Sequence, residues 1–206
     1  MKKILIVALS LALAIMAACT SEPTKPAEKP RPKPAEFLTG RAAFQQLYVD
    51  ARGWTRDAQP FHLESQVTAD APGRDGKSDV WRAVFASPSQ RSAKPYMWVG
   101  SDTLEGVARG ITPGSEDSYN PGNASTQVFD AVYVKVDSDQ ALQVAQKHGG
   151  SKLLEKNPEL PVFYQLDWSR PANSLIWHVI YGTSRGDAKL TVDVNASSGE
   201  FVRVEK

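Results

Sequence analysis

The sequence predicts an α+β fold of two similar units, each a helix packed on an antiparallel β-meander. Three observations carry this. A stretch with helical spacing of apolar residues precedes several alternating stretches. Short runs rich in Gly, Pro, Asn, Asp and Ser join the alternating stretches, as in consecutive antiparallel strands. The same order of elements occurs twice between residues 37 and 206.

The N-terminal copy opens at Thr39, placed to cap a helix whose Phe44, Leu47, Tyr48 and Ala51 fall at i, i+3, i+4 and i+7. Gly53 is its expected stop. Phe61, Leu63 and Val67 alternate on a first strand, residues 79–85 form a second, and Met97 and Val99 mark a third. Loop 70–79 holds three aspartates around Gly73 and Gly76. Their spacing is not that of an EF-hand, so a solvated hairpin loop is expected. After a turn-rich loop, 112–127, an extra strand is expected at 128–136, where Val128, Val132, Val134 and Val136 share a β-branched face.

The C-terminal copy opens with Asp137 and, three residues on, Gln140, which is a capping-box pattern. Ala141, Leu142, Ala145 and His148 share one helical face, and Gly149-Gly150 supplies a stop. His148 would then place charge near the C-terminal dipole. Val162, Tyr164, Leu166 and Trp168 alternate on a strand; residues 175–181, 188–194 and 200–205 follow as three more. The last is a candidate sheet edge.

Matching the copies pairs Trp81 with Trp177, Ala83 with Val179 and Phe85 with Tyr181, all expected in the core. Met97 and Val99 are matched with Val192 and Val194. That alignment puts Trp98 on the face away from Val99, with Tyr96 beside it, as an exposed aromatic contact. The second face of the matched strands carries Val80, Arg82 and Val84 in one copy and Ile176, His178 and Ile180 in the other. It is too apolar for open water, so packing of one unit on the other is expected. Trp98, Tyr96, His178 and Arg82 form the candidate binding surface.

The N-terminus carries an address. Lys2 and Lys3 precede an apolar run from Ile4 to Ile15. Twelve helical residues span about 18 Å, short of the roughly 30 Å bilayer core, so this is a signal-peptide core and not a span. The run ends in Met16-Ala17-Ala18-Cys19, and Cys19 is the sole cysteine. This junction resembles the lipobox of bacterial lipoproteins, with Met16 where Leu is usual. The resemblance implies cleavage after residue 18, a multiply acylated Cys19 and stable anchoring in the bilayer. Thr20 rather than Asp after the cysteine implies the outer membrane, facing the periplasm, in a diderm source. Residues 19–36 then form a Pro-rich stalk with five prolines after the cysteine and no large apolar side chain. The expected organisation is signal peptide 1–18, lipidated stalk 19–36, first unit and connecting loop 37–127, second unit 128–206.

Residues 137–150 (DSDQALQVAQKHGG), 177–181 (WHVIY) and 190–202 (LTVDVNASSGEFV) resemble the PepSY family. The resemblance covers about seventy residues; the N-terminal copy is degenerate, with Leu104-Glu105 where Gly199-Glu200 stands. It implies a PepSY/cystatin-like fold for each unit. It also implies binding or inhibition of partners such as peptidases, and no transferable catalytic set.

The remaining chemistry is sparse. Twenty-four basic and 23 acidic residues give a net charge of +1, with no excess to track nucleic-acid phosphates. One cysteine excludes an intrachain disulfide. His62, His148 and His178 lack metal-ligand spacing, and no cofactor motif is present. No nucleophile elbow accompanies them. The expectation is therefore a non-catalytic, metal-free and cofactor-free envelope lipoprotein that binds a protein or peptide. A small-ligand or glycan binder using Trp98 is the alternative, and an envelope hydrolase the least favoured reading.

Overall fold

The computed structural model describes residues 34–102 and 104–205. The expected signal peptide, Cys19 and most of the expected stalk lie outside the described residues. From Pro34 onward the chain is one compact unit.

The elements in chain order are β1 (Leu38–Thr39), α1 (Gly40–Trp54), β2 (Gln59–Ser65), β3 (Lys77–Ser78), β4 (Val80–Ser87), β5 (Ser92–Val99), β6 (Gly110–Pro113) and β7 (Asp117–Ser118). Then follow α2 (Ser138–Ala145), α3 (Ser151–Lys156), β8 (Val162–Ser169), β9 (Ser174–Tyr181), β10 (Leu190–Asn195) and β11 (Phe201–Glu205). Nine strands make one antiparallel sheet, ordered β11-β10-β9-β8-β2-β4-β5-β6, with β7 also on β5. Helix, then four strands in meander, is the order in both halves.

The halves do not pack face to face as the sequence suggests. They lie side by side, because β2 and β8, the first full strand after each helical segment, pair with each other. Glu64 opposite Gln165 and Leu63 opposite Leu166 form the seam. The helices cover one face only, and alternation decides which residues meet them. Leu63, Trp81, Ala83, Phe85, Tyr164, Leu166, Trp177, Val179, Tyr181, Val192 and Val194 join one core with Phe44 and Leu47 of α1 and Ala141 and Leu142 of α2.

At the centre of that core the two helix starts meet. The Trp81 indole N–H donates to the Leu38 carbonyl at 2.9 Å, and the Trp177 indole donates to the Val136 carbonyl at 2.9 Å. Each acceptor lies two residues before its own helix. The indoles meet edge-on, with centroids 6.5 Å apart. Gly40 fits between their rings; a Cβ there would strike Trp177 and crowd Trp81.

Capping departs from expectation at α1. Thr39 makes no cap of its own; its hydroxyl donates to Asp137 at 2.7 Å. The α1 N–H groups go to the other helix instead: Gly40 N–H donates to Ser138 Oγ at 2.7 Å and Arg41 N–H to Asp137 Oδ1 at 2.9 Å. The expected capping box of Asp137 and Gln140 is present at α2. Gly149-Gly150 does not end the helical segment. It makes a wide turn, with Gly149 at φ +115°, and α3 follows. A Cβ on Gly150 would collide with the Tyr181 hydroxyl, so close approach as well as turning selects glycine here.

The expected strand at 128–136 is absent among the described elements. Its middle is a 3₁₀ turn, Ala131–Tyr133, capped by the Asp130 carboxylate on Val132 N–H at 2.9 Å. An Asx cap outbids β-propensity when no strand lies alongside. The edge expectation holds for the last strand: β11 lies at one end of the sheet, and β6 at the other.

Candidate functional site

The face of the sheet away from the helices carries the titratable chemistry. Arg82, His62, Glu64, Asp167, His178, Asp193, Arg203 and Glu205 alternate with the core residues on their strands, so all emerge on this side. They connect as a row in which carboxylates alternate with arginine and histidine side chains. Arg82 lies 3.3 Å from Glu64, Glu64 3.1 Å from His62, and His62 3.9 Å from Asp167. Asp167 is 3.2 Å from His178 Nε2, and Asp193 is 2.6 Å from His178 Nδ1. Asp193 also accepts from Arg203 at 2.9 Å, and Arg203 reaches Glu205 at 2.8 Å.

His178 is the buried centre of the row, with 4% of its side chain exposed. Burial alone would lower its pKa. The hydrogen bonds to Asp167 and Asp193 outweigh burial and push it up to about 9. Asp167 feels the reverse: burial raises its pKa, and His178 and His62 more than offset this, holding it below the usual range. Glu64 is lowered chiefly by its hydrogen bond with His62. An imidazolium donating from both nitrogens has no lone pair to take a proton from a nucleophile. With His178 protonated, the contact with Asp167 and Asp193 is an ion-pair centre.

His178, Asp193 and Glu205 lie close enough together to ligate a metal. The cation between the two carboxylates is Arg203, and His178 supplies the remaining positive charge.

Two pockets open on this face, of about 520 and 490 Å³, and Arg82 lines both. The first has Met97, Phe163 and Val67 as apolar lining and Arg185 at its border. Arg185 comes from the 182–187 turn, where Asp187 accepts from both N–H and hydroxyl of Thr183 and Ser184. Those bonds hold the Asp187 carboxyl well below its ordinary range. Arg185 donates back to Gln165 at 2.5 Å and pairs with Glu205 at 3.2 Å. The second pocket is bordered by Phe61 and Tyr119, whose rings stack 6.2 Å apart beside Ala86 and Ala93.

The four expected surface residues divide two and two. Arg82 and His178 lie on this face as expected, though His178 is buried. Trp98 and Tyr96 do not: they are 3% and 5% exposed and face the helix layer. The cause is a one-residue slip in matching the copies. Trp81 pairs with Trp98 and Trp177 with Val194, so Trp98 corresponds to Val194 and Met97 to Asp193. A slip of one residue turns every side chain to the other face. His62 is half-buried in the ion row, and His148 stacks on Phe201 with centroids 3.7 Å apart. Asp79 is buried and accepts from Thr68 and Ser101, so loop 70–79 is less solvated than expected. Sequence reading missed Asp167, Asp193 and Arg203; their strand alternation was the signal that could have found them.

No family model matches the chain, and no curated protein matches it. Among solved structures it is similar to a candidate lipoprotein from Clostridium difficile 630, with TM-score 0.51 and 11% identity over 79% of this chain and 91% of that one. At that identity the likeness is one of fold: an α+β domain with an antiparallel sheet. Among the described residues no helix is long and apolar enough to cross a membrane.

Proposed function

We propose that this chain is a lipid-anchored protein of the bacterial cell envelope whose domain binds a protein or peptide partner without turning it over. Acylated Cys19 is the anchor, and the outer membrane facing the periplasm is its location in a diderm cell. The domain is a fused pair of PepSY-like repeats, supported by the matching indole-to-carbonyl bonds and by the recurrence of helix and meander. The fold shared with a candidate lipoprotein is compatible with this reading.

One observation carries the binding role. Helices cover a single face of a nine-stranded sheet, and the other face holds two pockets on either side of a half-exposed arginine. The aromatic argument for a glycan binder fails with the burial of Trp98 and Tyr96.

Anchoring is tested by Cys19→Ser, which blocks lipidation and the cleavage that depends on it; wild-type processing and fractionation of that variant would refute the anchor. The binding face is tested by a photo-crosslinking amino acid at Val84, on the open face, and at Val49, exposed on α1. Envelope adducts are expected from position 84. Adducts from position 49 alone would place the interface on the helix side.

A further inference from the structure

The two halves place different chemistry beside the central cation of the open face. In the second half, cationic His178 of β9 lies opposite Asp193 of β10, and Asp193 lies opposite Arg203 of β11. In the first half, cationic Arg82 of β4 lies opposite Met97 of β5, and Met97 lies opposite Thr112 of β6. A carboxylate therefore fills the place beside the cation in one half, and a thioether stands there in the other. That place is part of the 520 Å³ pocket, which Arg82 and Met97 both line.

Arg82 has capacity for another anion. Among the described residues its one hydrogen bond is to Glu64 at 3.3 Å, and its side chain is 49% exposed. A guanidinium carries five N–H donors, and carboxylates are its natural bidentate partners. Arg185 on the same pocket adds a second positive charge, 43% exposed. The lining residues, two arginines and one glutamate, are formally net positive, and Arg185 is paired with Glu205 outside them, which leaves Arg82 as the cation that faces the pocket. Phe163, Met97 and Val67 add apolar surface for the body of the ligand.

We propose that the pocket beside Met97 is a carboxylate-binding site, in which an acidic side chain of an extended peptide lies next to the Met97 thioether and pairs with Arg82 as Asp193 pairs with His178. This deepens the peptide-binding reading and rests on it for the source of the carboxylate. The group recognised is the carboxylate itself; the flanking apolar side chains of the peptide would lie on Met97 and Phe163.

Met97 is both lining residue and reporter, because the other two methionines, Met1 and Met16, precede Cys19. The lipidated chain that begins at Cys19, in detergent micelles and carrying 13C-methyl methionine, is titrated with N-acetyl-Val-Glu-Val-amide, with its Gln counterpart and with hexanoate. The Glu peptide is expected to shift the Met97 methyl signal and to bind about tenfold more tightly than the Gln peptide, as one charge-assisted contact would give. Arg82→Gln should abolish that preference. Met97→Asp, followed by calorimetry, should also abolish it by supplying the carboxylate internally. If Met97→Asp fails to fold, Arg82→Gln carries the test alone. Equal binding of the Glu and Gln peptides, or a preference that persists in Arg82→Gln, overturns the carboxylate site and leaves peptide binding standing. A response to hexanoate alone that depends on Arg82 upholds the site and refutes a peptide as its source. No response of the Met97 signal to any of the three overturns the proposal.

Discussion

His178 shows how the charge row couples to stability. Its folded pKa, about 9, lies above the ordinary histidine value of 6.5. A raised pKa means the folded state holds the proton more tightly than the unfolded chain. The resulting stabilisation is fully present below about pH 6.5 and is lost as pH rises through 9. A shift of this size corresponds to about 3 kcal/mol. Urea denaturation at pH 6.5 and pH 10 should show a fall of that order. His178→Gln should flatten the profile, since a neutral amide has no proton to lose. His178→Ala should cost about 3–5 kcal/mol at neutral pH, because Asp193 is left in a buried site with Arg203 as its remaining partner. A profile unchanged in His178→Gln would show that the pH dependence arises elsewhere. The sequence placed His178 on the correct face, but it could not show this ion pair: Asp167 and Asp193 come from neighbouring strands, and their approach depends on register.

At the scale of elements, the capping of α1 by α2 sets an unusual dependence on one carboxylate. Asp137 accepts from Ser138 N–H, Arg41 N–H and the Thr39 hydroxyl, so it serves the starts of both helices. A single N-cap is worth about 1 kcal/mol. Asp137→Ala should therefore cost about 2 kcal/mol, at the upper end of the range for capping residues, and Asp137→Asn should recover part of it. Chemical denaturation of the three proteins decides; a loss near 0.5 kcal/mol would mean that water replaces the α1 contacts. The capping box was legible because its partners are three residues apart. The link to α1 was not, because Thr39 and Asp137 are distant in sequence. Strand alternation was legible for β4 and β9, where Trp81 and Trp177 anchor the match. It slipped at β5, where Tyr96, Met97, Trp98 and Val99 are all large and apolar and either parity reads as a core strand. At 128–136 the valines alternated convincingly, yet Lys135 and Val136 both donate to the Ala196 carbonyl rather than to a ladder, so periodicity had no sheet to join.

Over the whole molecule, the join between the halves decides how the domain unfolds. The seam runs through the middle of the sheet, where β2 and β8 exchange backbone hydrogen bonds and Leu63 meets Leu166, both fully buried. Above it Trp81 and Trp177 share one contact, and Gly40 of the first half is wedged against the indole of the second. Separating the halves would expose two strand edges and both indoles at once. Unpaired central edges and bared aromatics are costly, so neither half should persist after the other is lost. Equilibrium urea unfolding should accordingly show one transition. Tryptophan fluorescence, far-UV circular dichroism and the Met97 methyl signal should coincide, although Met97 reports on the first half alone. Residues 37–127 expressed by themselves should remain unfolded, since β2 would lack β8 on one side and α1 would lack Asp137 at its start. Two separable transitions, or a well-dispersed amide spectrum from 37–127, would show that the repeats are independent domains and that the shared sheet is a docking surface between them.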